Sequence, residues 1–299
     1  MAILIDYTQL AIAGIMPFQA DLKRGSDEKI VNLIRHVVLS SLLANKQKFS
    51  KKYGDMIICT DGKKYWRKEY FEYYKANRVK SRSESDLNWK LIFDTISGIR
   101  EDLKNYFPYK VIHVEEAEAD DIIGVLTEYW QENELVQTGL EEEPQPILIV
   151  SSDKDNIQLQ KFKNVTQWSP MQKKQIKPEV SARYSLIEKI CCGDSGDGIP
   201  NILSDDNVFV TEGVRQKPFR KSRLDEFLEK GIDACKTDQE RRNYARNELL
   251  VSYEKIPQTV KQNIINTYLS TEILGSRQKI MQYLMAHRCK NLMDDLEKF

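Results

Sequence analysis

The stretch Ile147-Leu148-Ile149-Val150-Ser151-Ser152-Asp153-Lys154-Asp155 joins an unbroken apolar run to two serines and two aspartates. Four consecutive apolar residues, following Pro144 and Pro146, predict a strand that is buried on both faces, as in a parallel sheet. In open α/β sheets, ligands bind at the carboxyl ends of the strands, which is where Asp153 and Asp155 stand. The stretch alone leaves two interpretations open: a solvated turn that caps the next helix, or one edge of a binding site.

Composition excludes some classes of protein and leaves others open. A chain of 299 residues with 41% hydrophobic residues is long and apolar enough for one large domain or two. Lys plus Arg and Asp plus Glu number 45 each, so the net charge does not indicate a partner. Five cysteines without a C-x-x-C pair, and only three histidines, leave few ligands for zinc. Without a secretory signal or a long apolar segment, we expect a cytoplasmic protein with no membrane partner.

Other apolar runs also predict strands, and helical patterns separate them. Besides residues 147–150, the predicted strands are residues 2–5, 55–60, 110–114 and 165–168. Helical periodicity covers residues 28–44, 91–106 and 122–130. This alternation predicts the α/β class, with a central, mainly parallel sheet flanked by helices. Residues 135–146 are expected to form an exposed loop, and from residue 181 onward the patterns predict a carboxy-terminal helical region.

Residues 62–85 form a segment that is both basic and aromatic. Eight lysines and arginines are interleaved with six aromatic residues. At helical spacing, one stripe contains Arg67, Lys75, Arg78 and Arg82 together with Phe71. A helix of this kind, inserted after a strand, suits a nucleic-acid backbone and unstacked bases. The alternative is an ordinary surface helix whose aromatic rings pack on the sheet.

Carboxylates recur where the predicted strands end. Four of them follow an apolar run or begin the next helix, and four more lie close to these or share a later turn: Asp6, Asp61, Asp120 and Asp153, then Glu118, Asp155, Asp194 and Asp197. Two like charges about 4 Å apart repel by about 4 kcal/mol at an effective dielectric near 20, so a cluster is expected to bind divalent cations or to be spread in water. Oxygen ligands favour Mg²⁺ or Mn²⁺. More than four carboxylates favour two ions, which suit in-line displacement at phosphorus.

With these residues in place, the chain resembles the flap endonuclease / 5′-nuclease family, in particular its T-even bacteriophage members. The motifs follow one another in family order over most of the chain. They are Leu4-Ile5-Asp6, Cys59-Thr60-Asp61, Tyr65-Trp66-Arg67 through Asn77-Arg78, Glu118-Ala119-Asp120-Asp121, Ser151-Ser152-Asp153-Lys154-Asp155, Gln167-Trp168-Ser169-Pro170-Met171 and Gly193-Asp194-Ser195-Gly196-Asp197. The resemblance implies a resolvase-like (PIN-like) fold. It also implies a Mg²⁺-dependent 5′→3′ exonuclease and flap endonuclease with ribonuclease H activity, which removes RNA primers and adjacent DNA from 5′ ends during DNA replication.

The resemblance also implies roles for individual residues. A first Mg²⁺ ion would be surrounded by Asp6, Asp61, Asp120 and Asp153, and a second would be served by Asp155, Asp194 and Asp197, with Glu118 supporting either. Lys75 and Arg78 fall in the family's arch or bridge, at about residues 62–90, as the basic residues that hold the 5′ strand and the scissile phosphate. The basic stripe adds Arg67 and Arg82 as contacts to nucleic acid. The other contacts that the resemblance implies are Tyr74, stacking on a base, and the later basic residues Arg215, Lys217, Arg220, Lys221 and Arg223.

Domains, substrates and partners follow from the same resemblance. It implies a nuclease domain at residues 1–185 and a helical duplex-binding region at residues 186–299. The implied substrates are RNA–DNA hybrids, duplex DNA with a 5′ end, and 5′-flap or fork DNA. The implied protein is a monomer in the host cytoplasm, whose replisome partners would be a single-stranded-DNA-binding protein and the sliding clamp.

Two features depart from the family pattern. Asn201-Ile202-Leu203-Ser204-Asp205-Asp206 stands in place of a glycine-rich hairpin that grips a phosphate and often K⁺. The chain begins at its first strand, without the acidic extension that T-even members associate with the clamp, so clamp contact by that route is not expected. Two alternatives remain: a PIN-type endoribonuclease acting on single-stranded RNA, and a non-catalytic protein that binds branched DNA. The basic and aromatic segment argues against the first, and the complete carboxylate set argues against the second.

Overall fold

The computed structural model describes residues 2–133, 135–138 and 141–299. Strands occur throughout the first two thirds of the chain. In chain order they are β1 (Ala2–Asp6), β2 (Asp55–Thr60), β3 (Lys110–His113), β4 (Leu135–Thr138), β5 (Glu141–Pro144), β6 (Ile147–Val150), β7 (Val165–Ser169) and β8 (Lys174–Ile176).

Six of these strands form one central sheet in the order β3-β2-β1-β6-β7-β8. The neighbours from β3 to β7 pair in parallel, and β8 runs antiparallel to β7 at the edge. β6 is buried over its whole length, as its uninterrupted apolar sequence predicts. The predicted α/β class and mainly parallel sheet are therefore confirmed. Since β1, β2 and β6 run in the same direction, Asp6, Asp61 and Asp153 emerge at the same edge of the sheet.

Helices surround the sheet and make up most of the last third of the chain. They are α1 (Tyr7–Ile15), α2 (Gln19–Arg24), α3 (Asp27–Tyr53), α4 (Arg67–Tyr70), α5 (Ala76–Ser83), α6 (Trp89–Tyr106), α7 (Ala119–Asn133), α8 (Ala182–Cys192), α9 (Leu224–Lys230), α10 (Asp238–Val251), α11 (Gln258–Ser270), α12 (Arg277–Ala286) and α13 (Lys290–Met293). A 3₁₀ helix, Lys154–Lys161, follows β6. Within the described ranges, no helix combines the length and the apolar character needed to cross a membrane.

Apolar layers cover both faces of the sheet. Along β1, Ile3 and Ile5 face one layer, which includes α1, α3, α6 and α12, while Leu4 faces the other, which includes α7 and α11. This alternation is the two-residue period of a strand. The carboxy-terminal helices thus contribute to both faces, because α12 packs on α6 and α11 packs on α7 and β3.

A third apolar cluster holds the basic and aromatic segment against the helical region. Phe71 and Tyr74 are buried there among side chains of α8, α9 and α10. The segment itself is not one helix, as its spacing suggested, but two short helices, α4 and α5, with a turn between them. The turn brings the aromatic rings inward, so part of the segment belongs to the core. We use "arch" for residues 62–90 below.

Residues 135–146 also differ from the expected loop. They contain an antiparallel pair, β4 with β5, apart from the central sheet. Its second strand begins with three consecutive glutamates, Glu141 to Glu143, and so shows no alternation of apolar and polar residues. Strand prediction relies on that alternation, which is why the sequence pattern did not reveal this hairpin.

Candidate active site

Asp6 ends β1 and begins α1, and its side chain is buried. Its Oδ1 accepts a hydrogen bond from the backbone N of Gln9 at 3.2 Å, and its Oδ2 accepts one from the Ser151 hydroxyl at 2.9 Å. Burial, followed by the charges of Asp61 and Asp153, raises the pKa of Asp6 to about 7, although the two hydrogen bonds oppose this. A carboxylate in this position therefore carries its full charge at neutral pH only if a cation is added.

Three further carboxylates complete what we call the strand-end cluster: Asp6, Asp61, Asp120 and Asp153. Asp61 follows β2 and accepts a hydrogen bond from the backbone N of Ala119 at 2.9 Å, which ties the end of the strand to the start of α7. Asp120 accepts one from Asn156 Nδ2 at 2.9 Å. Burial and the charges of Asp153 and Asp6 raise the pKa of Asp120 well above its ordinary value. The predicted group is therefore brought together at one edge of the sheet.

Asp155, Asp194 and Asp197 form a second group, which we call the loop cluster. One carboxylate oxygen from each lies within 4.8 Å of the others. Asp155 begins the 3₁₀ helix after β6, and its neighbour Asp153 caps that helix by accepting from the backbone N of Asp155 at 2.9 Å. The other two residues lie in the turn after α8. The stretch 153–155 therefore contributes one carboxylate to each cluster.

The turn after α8 is fixed by its backbone. Asp194 and Ile199 exchange two N–H···O bonds of 2.8 Å, and Asp194 Oδ1 accepts from Gly196 N at 2.7 Å. Gly198 has φ +71°, and a Cβ there would lie 2.8 Å from the carbonyl oxygen of Tyr73 in the arch. Only glycine suits that backbone conformation and that close approach. The turn is therefore built against the arch.

Basic residues neutralise the loop cluster. The Lys189 ammonium forms an ion pair with Asp155 and another with Asp194 at 2.7 Å. Burial alone would raise the pKa of Asp194, but the Lys189 charge and hydrogen bonds outweigh it and lower that pKa. From the arch, Arg78 pairs with Asp197, and its Nε donates to the Gly196 carbonyl at 3.1 Å.

Lys75 connects the arch to Glu118, just before α7, and to Asp197 of the loop cluster. Its backbone has φ +58°, a left-handed conformation that is uncommon outside glycine, and its N–H donates to the Asp197 carbonyl at 2.7 Å. Its ammonium pairs with Glu118 and lies 3.8 Å from Asp197 Oδ2. An uncommon backbone conformation held by hydrogen bonds beside a charged cluster is typical of a functional position.

Glu118 lies just before α7 and is buried, yet it accepts three side-chain hydrogen bonds. Its Oε2 accepts from Arg67 Nη1 at 2.9 Å and from the Tyr74 hydroxyl at 2.7 Å, while Oε1 accepts from Lys75. Burial opposes ionisation, but the charges of Lys75 and Arg67 outweigh it and lower the pKa of Glu118. Glu118 is therefore an ionised carboxylate whose charge is balanced by the protein.

Two of the residues predicted to contact nucleic acid are in the interior, and this corrects the prediction. The side chain of Arg67 is only 4% exposed and is paired with Glu118 and Asp121. Tyr74 is 3% exposed, and its hydroxyl is bonded to Glu118, so its ring has no free face on which a base could stack. The helical-spacing argument failed for Arg67 because the segment turns between α4 and α5, so residues expected on one stripe point in different directions.

The other basic residues remain near the surface. Arg215, Lys217, Arg220 and Lys221 are exposed in the loop before α9, and Lys221 pairs with Glu188 of α8. Arg223 is instead paired with Glu240 at 2.8 Å. In the arch, the Arg82 guanidinium lies 4.7 Å from the centre of the Phe93 ring. Arg215, Lys217, Arg220 and Arg82 are thus exposed to a ligand, while Lys221 and Arg223 already have carboxylate partners.

Comparison with known proteins identifies the relatives of this arrangement. Residues 2–186 match the family model for the amino-terminal resolvase-like domain of 5′-3′ exonucleases, and residues 180–299 match the model for the carboxy-terminal part of T4 RNase H. The chain belongs to the 5′-3′ exonuclease family. It is therefore a nuclease, an enzyme that cleaves phosphodiester bonds.

Individual relatives extend over most of the chain. The ribonuclease H of Enterobacteria phage T4 is 33% identical over 306 residues, which is 99% of this chain and 95% of the relative. The 5′-3′ exonuclease of Buchnera aphidicola (subsp. Schizaphis graminum) is 29% identical over 167 residues, or 54% of this chain and 51% of that protein. Among solved structures, the T5 5′-exonuclease with zinc bound has a TM-score of 0.61 at 16% identity, covering 91% of this chain and 98% of that chain. The last likeness supports the fold.

The donor set of this exonuclease-family site fits divalent metal ions. Both clusters offer only carboxylate oxygens, which are the ligands that Mg²⁺ and Mn²⁺ prefer. Burial, together with the charges of the neighbouring aspartates, raises the pKa values of Asp6 and Asp120. A bound divalent cation would stabilise the ionised forms of these side chains.

Two residues that the sequence reasoning did not select lie directly against the site. Asp121 is fully buried and is paired with Arg67. Lys189 pairs with two members of the loop cluster from one turn earlier on α8. Asp121 belongs to the motif Glu118-Ala119-Asp120-Asp121, which is the sequence signal for its place at the site. No local pattern marks Lys189, since its role depends on how α8 meets the 3₁₀ helix.

Proposed function

We propose that this protein is a Mg²⁺-dependent 5′→3′ exonuclease and flap endonuclease that removes RNA primers and adjacent DNA from 5′ ends during DNA replication. The observation that carries the proposal is the position of the arch residues Lys75 and Arg78, which pair with Asp197 of the loop cluster, while the Lys75 charge also acts on Asp120 of the strand-end cluster. Such a site can hold metal ions and a phosphate in the same place. The near full-length similarity to a phage ribonuclease H supports RNA–DNA hybrids as one substrate class and the cytoplasm of a host cell as the place of action.

In this proposal the strand-end cluster holds a first Mg²⁺ ion, through Asp6, Asp61, Asp120 and Asp153, and the loop cluster holds a second, with Mn²⁺ able to replace either. The two ions would supply an activated water and stabilise the leaving oxygen. The chain's own contribution is the fixed spacing of the two clusters. The Asp153 side chain accepts a hydrogen bond from the backbone N of Asp155, which fixes the Asp153 carboxylate relative to the backbone that carries Asp155.

Lys75 and Arg78 bind the scissile phosphate in this proposal. Both are already in contact with Asp197, so an arriving phosphate exchanges one anionic partner for another instead of requiring a new cation. Arg78 is the more accessible, with 42% of its side chain exposed, whereas Lys75 is 15% exposed. Arg78 would therefore meet the strand first, and Lys75 would hold the phosphate near the carboxylates.

The helical region would bind the duplex beside the cut. We assign this part to residues 186–299 and the nuclease domain to residues 1–185, with the protein acting as a monomer on RNA–DNA hybrids, duplex DNA with a 5′ end, and 5′-flap or fork DNA. The exposed loop residues Arg215, Lys217, Arg220 and Lys221 support this assignment, because Lys and Arg neutralise phosphates without reading sequence. Lys221 pairs with Glu188 on α8, the helix that also carries Lys189, so this loop adjoins the loop cluster.

The proposal is tested by comparing three substrates with purified protein and Mg²⁺: a 5′-labelled RNA–DNA hybrid, a 5′-flap DNA, and the same RNA free in solution. We expect short 5′ products from the first two and little cleavage of free RNA, with no products when EDTA replaces Mg²⁺. Preferential cleavage of free RNA would favour a PIN-type endoribonuclease. Binding of flaps without any product at all would favour a non-catalytic protein.

A further inference from the structure

Arg67 lies at the base of the arch, where its guanidinium is held by four hydrogen bonds. Nε donates to the Leu250 carbonyl at 2.7 Å. Nη1 donates to Glu118 Oε2 and to Asp121 Oδ2, both at 2.9 Å, and Nη2 donates to Asp121 Oδ1 at 2.7 Å. Most of the five N–H groups of the guanidinium are therefore occupied, and the Trp66 ring lies 4.6 Å away on one side.

Arg67 and these partners belong to three different parts of the molecule. Arg67 is in the arch, Glu118 and Asp121 lie just before and within the first turn of α7, and Leu250 is near the end of α10 in the helical region. Asp121 also accepts from the backbone N of Glu118 at 2.9 Å and from Trp66 Nε1 at 3.1 Å. A single buried cation thus joins the arch, the start of the helix that carries Asp120, and the helical region.

The geometry favours arginine over lysine at this point. Two parallel N–H···O bonds to Asp121 fix the plane of the guanidinium, which then directs Nη1 at Glu118 and Nε at Leu250. A lysine ammonium is a point charge on a flexible stem and cannot satisfy acceptors in three fixed directions in this way. Removing either member of a buried pair also leaves the other charge uncompensated.

We propose that Arg67 is a positioning residue for the nuclease reaction: it holds Glu118 and the first turn of α7 so that Lys75 and Asp120 meet the phosphate and the metal ions at the correct spacing. This rests on the proposed function. Arg67 itself does not touch the nucleic acid. Glu118 is shared between Arg67 and Lys75, so a shift of Glu118 moves the ammonium that binds the phosphate. Asp120 lies between Glu118 and Asp121 in the chain, so the same shift alters the strand-end cluster.

The test compares wild type with Arg67→Lys and Arg67→Met in four measurements: kcat and KM on a 5′-flap with Mg²⁺, flap affinity with Ca²⁺ in place of Mg²⁺, Mn²⁺ affinity of the protein without nucleic acid, and Tm. Residues that orient metal ligands typically change metal affinity or activity by about 10–100-fold when replaced. We expect a loss of this size in kcat and in Mn²⁺ affinity, smaller for Arg67→Lys than for Arg67→Met. Flap affinity and KM should change much less than kcat, because Arg78 and the exposed loop cations do not depend on Arg67.

Arg35→Lys is the matched control. Arg35 lies on α3 and donates through its guanidinium to Tyr283 at 3.0 Å and to Asn32 at 3.1 Å, with no member of either carboxylate cluster among these partners. The same chemical change there should leave kcat and Mn²⁺ affinity unchanged. If Arg67→Met does not fold, Asp121→Asn keeps the shape of the partner while weakening the pair, and it should lower kcat and Mn²⁺ affinity in the same direction as Arg67→Lys.

Two outcomes would overturn the proposal. If Arg67→Lys lowers only Tm, with kcat and Mn²⁺ affinity unchanged, Arg67 merely stabilises the fold. If it weakens flap binding while kcat is kept, Arg67 contacts nucleic acid after all. Neither outcome would contradict the proposed function, because that is tested by whether the wild-type protein cleaves the hybrid and the flap. Absence of wild-type cleavage would refute the function while the Mn²⁺ comparison still reports on Arg67.

Discussion

The two carboxylate clusters of this nuclease differ in how their charge is balanced. In the loop cluster, Lys189 pairs with Asp155 and Asp194, and Arg78 pairs with Asp197. In the strand-end cluster, none of the four carboxylates forms an ion pair with a lysine or arginine of the described ranges, and the pKa of Asp6 is raised to about 7. The carboxylates of the loop cluster are therefore paired with basic side chains, whereas those of the strand-end cluster are not.

This difference indicates how each cluster should respond to metal ions. A divalent cation entering the strand-end cluster meets carboxylates whose ionised form it stabilises, so binding there relieves repulsion. A cation entering the loop cluster must displace or share the place of ammonium and guanidinium groups. We therefore expect the strand-end cluster to bind its ion tightly and the loop cluster to bind its ion weakly.

The largest effect should come from Asp153→Asn. The change removes one charge from the strand-end cluster while keeping the shape of the side chain. We expect kcat on a 5′-flap to fall by roughly 10⁴-fold, the scale of losing a group that acts in the chemical step, with flap affinity in Ca²⁺ unchanged. Asp94→Asn, at an exposed position on α6, is the control. If flap affinity fell in parallel with kcat, Asp153 would act in substrate binding, and the predicted difference between the two clusters would lose its support.

The second-largest effect is expected in how the free energy of unfolding depends on pH in the absence of divalent ions. The pKa of Asp6 is raised from 3.8 to about 7 in the folded protein, so between about pH 4 and pH 7 the folded state keeps a proton that the unfolded state has lost. The free energy of unfolding should therefore fall as pH rises through this window. The contribution of Asp6 is at most about 4 kcal/mol, at about 1.4 kcal/mol for each pKa unit.

Denaturant unfolding in EDTA at several pH values, with wild type and Asp6→Asn side by side, measures this contribution. Other carboxylates change stability in the opposite direction, because the pKa values of Glu118 and Asp194 are lowered, so the difference between the two proteins is the relevant quantity. Wild type should lose stability relative to Asp6→Asn as pH rises, and Mg²⁺ should reduce that relative loss. If the free energies of unfolding of wild type and Asp6→Asn changed with pH in parallel, this would contradict the raised pKa of Asp6.

Much of the strand-end cluster could be predicted from the sequence, for a physical reason. Parallel strands place their carboxyl ends at one edge, so Asp6, Asp61 and Asp153 could be assigned to the same edge once the strands were recognised. β1, β2 and β6 have short apolar runs with clear limits, and the structure confirms all three strands. The inference needed only periodicity and topology.

The balance of charge around the loop cluster could not be predicted in this way. It depends on the packing of α8 against the 3₁₀ helix, which brings Lys189 to Asp155, and on the turn between α4 and α5, which brings Lys75 and Arg78 to Asp197. Both are contacts between residues that are far apart in the chain, and neither leaves a local pattern. The sequence therefore indicated which residues carry charge but not which of them are already paired.

Arg78→Ala tests the role of the arch residue that balances the charge of Asp197 in the loop cluster. The Arg78 side chain is 42% exposed and its guanidinium is paired with Asp197, so in the proposed function the guanidinium exchanges a carboxylate partner for a phosphate. Flap affinity should fall by about tenfold at low salt, and the slope of log affinity against log salt should fall by about 1, as expected for one lost phosphate contact. Lys90→Ala, at an exposed position on α6, is the control. An unchanged salt slope would mean that Arg78 serves the loop cluster alone.

Lys189→Met should have the smallest effect, and it tests the contrast most directly. Its ammonium pairs with both Asp155 and Asp194, and removing a charge about 4 Å from a bound cation is worth about 1 kcal/mol in water-like surroundings. The weaker of two Mn²⁺ affinities should therefore rise by about fivefold while the stronger one stays the same. Lys161→Met, which removes a lysine paired with Glu254 at 2.7 Å, is the control. A rise in the stronger affinity instead would place the tight ion in the loop cluster, and the two clusters would have to exchange their assigned roles.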